Sequence, residues 1–210
     1  MTLPKERNYT FEDYWNLPEG VRSDLVAGQL YIRKTPLLIH AELVGGLSRL
    51  IGNYLCDHRS EYKLILGPFA VNPDQKKINW VEPDILINCD SSKVNEEYFC
   101  GAPDWIIEVT SFDSRLMDYN IKNSLYASAG VREYWIVDPE KKQTTVYHYE
   151  EDAAPTIYLF SQAVPVGILK GVLITISDLL DNKINTALLS EPSLAKDWLS
   201  PAEDRAWKTL

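Results

Sequence analysis

Two acids and a lysine have the types and spacing that could do chemistry on a phosphate. Glu108 interrupts the apolar run Trp105, Ile106, Ile107, Val109, and Asp84 stands where the run Ile85, Leu86, Ile87 begins. Taking a carboxylate out of water is costly unless it is paired, protonated or bound to a metal. On adjacent strands the two acids are candidates to meet on one sheet face. They would repel each other there, and a divalent cation would turn that repulsion to use. Mg²⁺ suits the pair best, with Mn²⁺ as a substitute, because it takes hard oxygen ligands, often only one or two carboxylates, plus waters and phosphate. Lys122 lies four residues after Asp118, the spacing of an ordinary surface salt bridge on a helix. Beside two converging acids it could instead orient or help deprotonate a water and offset charge at phosphorus.

The elements that must position these groups are legible around them. Residues 101–139 read as strand, loop, helix and strand. Asp104–Thr110 sets Ile106, Glu108 and Thr110 on one face, a helix runs from about Ser114 to Ala129 with Gly130 as its cap, and Val131–Val137 resumes as a strand. That order favours a crossover to a parallel neighbour. Upstream, Thr10–Leu17 reads as a short helix capped by Thr10, and Arg22–Ile32 as a hairpin turning at Ala27 and Gly28. Apolar residues at helical spacing from Leu43 to Leu55 predict an amphipathic helix over 38–55, whose glycines Gly45, Gly46 and Gly52 suggest close approach to a strand. His40, near its start, could contact the backbone or ligate a metal.

Lys63–Val71 and Asn79–Asn88 are predicted strands, the second with a bulge or edge at Pro83, and 89–100 a polar connection. Strands over 144–150, 157–161 and 172–176 would extend the sheet as a meander, with Ser177 capping a short helix after them. Asp104 sits about 13 Å along the strand from Glu108 and is set aside as a ligand. Asp113 and Asp118 read as cap and salt-bridge residues, Glu133 and Asp138 as surface and turn acids.

The 210 residues suit one well-cored domain with a tail. The domain is expected over 1–182, and 183–210, with Trp198 and Trp207 in a charged background, as a tail that could be a docking helix. A net charge of -9 argues against passive coating of nucleic acid, which Lys and Arg drive. Without an apolar stretch long enough for a membrane span, and with no secretory signal at the start, the chain is expected in the cytoplasm, away from membranes. Cys56, Cys89 and Cys100 show no zinc spacing and read as reduced, mostly buried thiols.

Several stretches carry a family resemblance: Glu82-Pro83-Asp84, PDWIIEVTS at 103–111, DYNIKNSLYASAGVREYW at 118–135, VDP at 137–139, and SDLVAGQL at 23–30 followed by His40. Together they resemble the bacterial putative restriction endonucleases of the PD-(D/E)xK nuclease superfamily, over roughly residues 10–180. The resemblance implies an α/β fold, a restriction-endonuclease-like mixed β-sheet flanked by helices, with a Mg²⁺-dependent site. It places the family's first acid on Asp84 and its second on Glu108, with the Val109 carbonyl as a backbone metal ligand. The lysine usual two residues after the second acid is replaced by Thr110, and the resemblance moves that role to Lys122. An upstream acid of the family falls on Asp24 and a recurrent histidine on His40, both as accessory residues.

The function these expectations amount to is metal-dependent endonuclease cleavage of DNA, bound weakly without the metal. Dimerisation would suit two-strand cleavage, and the tail could dock a protein partner. The rival is a binding or regulatory protein that keeps the nuclease fold without turnover.

Overall fold

A computed structural model describes residues 8–151 and 153–181. The chain divides into two compact units after Leu179. The first holds all the described strands; of the second, only Leu180 and Asp181 are among the described residues, so the expected tail over 183–210 lies outside them.

Helix α1 (Phe11–Trp15) starts at a capping box in which Thr10 and Asp13 exchange side-chain and backbone contacts. Strands β1 (Ser23–Val26) and β2 (Gln29–Ile32) form an antiparallel hairpin. Its turn residues Ala27 and Gly28 both have positive φ, 49° and 72°, as the tight turn that matches strand twist requires. Helix α2 (Leu38–Asp57) buries Leu43, Leu47, Ile51 and Leu55 on one face. Gly46 makes room for a helix rather than a strand: a Cβ there would meet the Leu179 Cβ at 3.1 Å, whereas Gly45 and Gly52 face open space.

The predicted strand over 63–71 is two strands, β3 (Lys63–Leu66) and β4 (Ala70–Asn72), broken at Gly67-Pro68. Only the end of the predicted 79–88 strand is regular, as β5 (Ile85–Asn88); before it, Trp80 and Val81 make isolated bridges to Leu25 and Val71. Pro83, which cannot donate to a ladder, explains the interruption. The polar connection contains β6 (Tyr98–Cys100), paired parallel to β4. Next come β7 (Trp105–Val109), a π-helical turn over Met117–Lys122, α3 (Asn123–Ala129) closed by the left-handed Gly130, and β8 (Glu133–Asp138). Then follow β9 (Gln143–His148), β10 (Thr156–Leu159), β11 (Ala163–Pro165), β12 (Leu173–Thr175) and α4 (Ile176–Asp181).

The central sheet runs β10-β9-β8-β7-β5-β3, mixed because β7 and β8 are parallel and their neighbours antiparallel. The parallel pair, joined through the π turn and α3, is its fully buried centre, with Trp105, Trp135, Ile107 and Ile136 inaccessible to water. β11 and β12 pair only with each other, so the meander stops extending the sheet at β10. α4 begins at Ile176, which takes Ser177 inside the helix and out of the capping position. Cys56 and Cys89 are exposed and Cys100 half-buried, all three free; the expected burial of the thiols does not hold.

Candidate active site

β7 brings its acid into contact with the end of β5 by register. Ile85 pairs with Ile107, and one step further the antiparallel pairing sets Asp84 opposite Glu108. Both carboxylates are buried. Asp84 is held by three donors: the Val109 amide at 2.8 Å and His40 Nε2 at 3.0 Å, both on Oδ2, and Arg33 Nη2 at 3.2 Å on Oδ1. The backbone atom of Val109 seen in the site is thus its N–H. His40 bonds a side chain of the cluster, where a merely helix-terminal histidine would contact backbone.

Glu108 Oε1 accepts from Lys122 Nζ at 2.8 Å and from the Tyr126 hydroxyl at 3.0 Å, while Oε2 lies 3.9 Å from Arg33 Nη2. Lys122 is only 1% exposed, so the surface salt bridge with Asp118 is not its situation. Asp118 is the farthest of its three acids, at 3.8 Å, behind Glu108 and Asp24, whose Oδ2 stands at 3.1 Å. Asp24 also accepts the Glu82 amide at 2.9 Å, tying β1 to the segment that carries Asp84.

The π turn is what aims Lys122 inward. It buries Met117, Asp118 and Lys122 together, and α3 continues with Tyr126 on the same face. Such wide turns, uncommon inside α-helices, concentrate at functional sites. Arg115 anchors the start of this helical segment by a two-pronged pair to Asp138, at 3.0 Å from each oxygen.

Burial pushes the Glu108 carboxyl up, to about 8; Lys122 and Arg33 oppose the rise, while Asp84 and Asp118 add to it. Burial also raises Asp118, against Lys122 and the hydroxyls of Thr110 and Ser114. Asp84 goes the other way: burial is outweighed by the His40 hydrogen bond, Arg33 and the Val109 amide, so its carboxyl is held below the ordinary value. Burial would lower the Lys122 ammonium, but Asp24 and Glu108 keep it above the usual lysine range.

All six residues picked from the sequence, Asp24, His40, Asp84, Glu108, Val109 and Lys122, therefore fall in one cluster. Three more belong to it. Arg33 and Tyr126 had no sequence signal beyond their proximity to other cluster residues, and Asp118 is a buried member of the cluster. Glu133, expected on the surface, is 1% exposed and accepts the Trp135 indole and the Gly167 and Ile168 amides. Asp138 is a turn acid as expected, but fully buried beneath Arg115. Asp104 receives the Cys89 amide and Arg132, at the far end of β7.

The donor set fits a hard divalent cation by its chemistry. Asp84 Oδ1 and Glu108 Oε2 both turn to the same Arg33 nitrogen, and four carboxylates surround two permanent cations. If all four ionise, two negative charges stay uncompensated, the charge of one divalent ion. Among the described residues no three His, Cys, Asp or Glu side chains are grouped as a metal site, and the two-carboxylate binding typical of Mg²⁺ needs no such group. A cavity of about 370 Å³ lies nearby, lined by Tyr14, Trp15, Phe69, Glu82, Glu96 and Glu97 among others. It holds none of Asp84, Glu108 or Lys122, and its acids would repel phosphate.

A profile of the Uma2 family, described as putative restriction endonuclease, matches residues 11–173. A crystal structure of a putative nuclease belonging to DUF820 from Anabaena variabilis ATCC 29413 shares the fold, with a TM-score of 0.67 at 19% identity, over 82% of this chain and 97% of that one. No protein of curated function matches the chain.

Proposed function

Since the chain belongs to the Uma2 family of putative restriction endonucleases, we propose that it is a Mg²⁺-dependent endonuclease acting on DNA, with Asp84, Glu108 and Lys122 at its centre. The observation that carries this is the facing pair Asp84 and Glu108, the second of them bonded to a wholly buried lysine. The two carboxylates, with the Val109 carbonyl, would hold the ion. When bound, Mg²⁺ supplies an acidified water and neutralises charge developing at the phosphorus.

The chain's own groups do the positioning. His40 and the Val109 amide fix Asp84 and leave Oδ1 toward the site. Lys122 and Tyr126 occupy Glu108 Oε1 and leave Oε2 toward the same place. Asp24 holds Lys122 in line and links it to the Glu82 backbone. Fixing both oxygens in advance removes the reorganisation that two mobile acids would need. Two copies would serve both strands of a duplex, and residues 183–210 are proposed as the tail of a domain ending near 182.

The net charge of -9 favours a second reading, a nuclease-fold binding protein without turnover. Cleavage of plasmid, linear and branched DNA with Mg²⁺ or Mn²⁺ decides between them. The wild type should cut, and Glu108→Gln and Lys122→Ala should lose activity by a hundredfold or more, on the order of a removed charge-stabilising group. Activity surviving in both variants, or absent from the wild type with either metal, overturns the catalytic proposal.

A further inference from the structure

Arg33 occupies the space between the two acids. Its Nη2 lies 3.2 Å from Asp84 Oδ1 and 3.9 Å from Glu108 Oε2, while Nη1 bonds the Glu82 carbonyl and stands 3.9 Å from Asp24. Resting on the metal-site reading above, we propose that Arg33 is a resident counter-ion which the divalent cation must displace, and that the displaced guanidinium becomes the grip for the DNA phosphate.

The geometry gives the reason. A Mg²⁺ ion would sit about 2 Å from each ligand oxygen, and Nη2 now lies 3.2 and 3.9 Å from those same two oxygens. A cation cannot enter without moving it, and mutual repulsion drives them apart. Arg33's hold on the acids is also long, its shortest bond being to the Glu82 carbonyl. Charge-assisted pairs close to about 2.7–2.9 Å and often use both prongs of the fork, yet Arg33 spreads one charge over three acids at 3.2 Å or more.

The two cations of the cluster differ in their freedom. Lys122 is sealed in, its side chain 1% exposed, whereas that of Arg33 is 18% exposed and follows directly on β2, at the open end of the hairpin. The first is a fixture and the second exchangeable. Swung outward, Arg33 still stands beside the ion's place, where a planar fork can take two oxygens of a phosphate. Arrival of the metal thus uncovers an anion site and neutralises the acids at once. That sequence suits an acidic protein, because phosphate is admitted only when the ion is in place.

The test compares wild type with Arg33→Gln and Arg33→Leu in two binding assays. Mn²⁺ affinity is read from the free-ion electron paramagnetic resonance signal, and duplex affinity from fluorescence anisotropy in Ca²⁺. The expected result has opposite signs: Mn²⁺ binds about tenfold tighter to the variants, and DNA binds several-fold more weakly. A purely structural Arg33 would weaken both, and that outcome, or unchanged Mn²⁺ affinity, overturns the proposal while leaving the site reading intact. Tighter Mn²⁺ with unchanged DNA affinity overturns the phosphate role. Wild type that binds no Mn²⁺ overturns both readings. Should the variants not fold, the arginine side-chain N–H resonances of the wild type serve instead. Mg²⁺ should shift the Arg33 signal strongly, and a signal that stays put while the metal binds overturns the displacement.

Discussion

Lys122 Nζ stands 2.8 Å from Glu108 Oε1, both side chains buried, with Asp24 at 3.1 Å as the next acid on the same ammonium. Lys122→Met should therefore cost about 3–5 kcal/mol, because it strands buried carboxylates without their cation. Adding Glu108→Gln to it should return part of that loss. Urea unfolding of the two single variants and the double variant measures the coupling, and strict additivity of the losses would falsify the pairing.

Burial of Glu108 sets a pH dependence in the metal-free protein, against the pull of Lys122. Glu108 is raised from an ordinary 4.5 to about 8. A carboxyl raised on folding contributes stability that is complete below the unfolded value and disappears as pH climbs through the folded one. Stability in EDTA should thus fall by a few kcal/mol between about pH 5 and pH 9. Glu108→Gln should flatten that decline; an equal slope in the variant would show that other groups cause it.

Asp84, Glu108 and Lys122 are legible in the sequence because a charge inside an apolar run, an acid at a strand start and a family motif all point inward. The hairpin at Ala27-Gly28 and the α2 stripe were readable from local pattern in the same way. Arg33 was not, since nothing local distinguishes an arginine ending a strand from any surface arginine. Apart from Asp24 across the hairpin, its partners Glu82, Asp84 and Glu108 lie about fifty or more residues away and meet it only through tertiary pairing. The π turn was hidden for another reason: its residues have ordinary helical composition, and only the wide hydrogen bonding distinguishes them. Glu133 misled because its partners are mostly the amides of Gly167 and Ile168, groups that no side-chain pattern announces.

Tyr126 should matter through Glu108 alone. Tyr126→Phe removes one hydrogen bond to Oε1 and keeps the ring packed against Tyr134 at 5.0 Å between centroids. The expected loss is about 1–2 kcal/mol in stability, with a weaker Mn²⁺ affinity as the carboxylate becomes less fixed. Calorimetric titration would show it, and an unchanged affinity would mean that Lys122 alone holds Glu108.

Thr110 offers a rescue. Its hydroxyl contacts that of Ser114 at 3.1 Å and both hydroxyls act to lower the Asp118 carboxyl, so a lysine at 110 would put an ammonium near the acid that Lys122 also faces. Thr110→Lys in the Lys122→Met background should recover a part of the lost stability, on the order of 1 kcal/mol. A double variant less stable than Lys122→Met alone would mean the pocket cannot take the longer side chain.

The π turn over Met117–Lys122 can also be regarded as an α-helix carrying one surplus residue. A π turn pairs residues five apart where an α-helix pairs residues four apart, so excising one residue, Asn120 for instance, would restore regular winding and leave Met117 and Lys122 facing the same way. The sheet, the hairpin and α3 need not change, because the turn absorbs its extra residue locally. A single-codon deletion would then remove the widening beside Lys122 while leaving the architecture that houses it in phase.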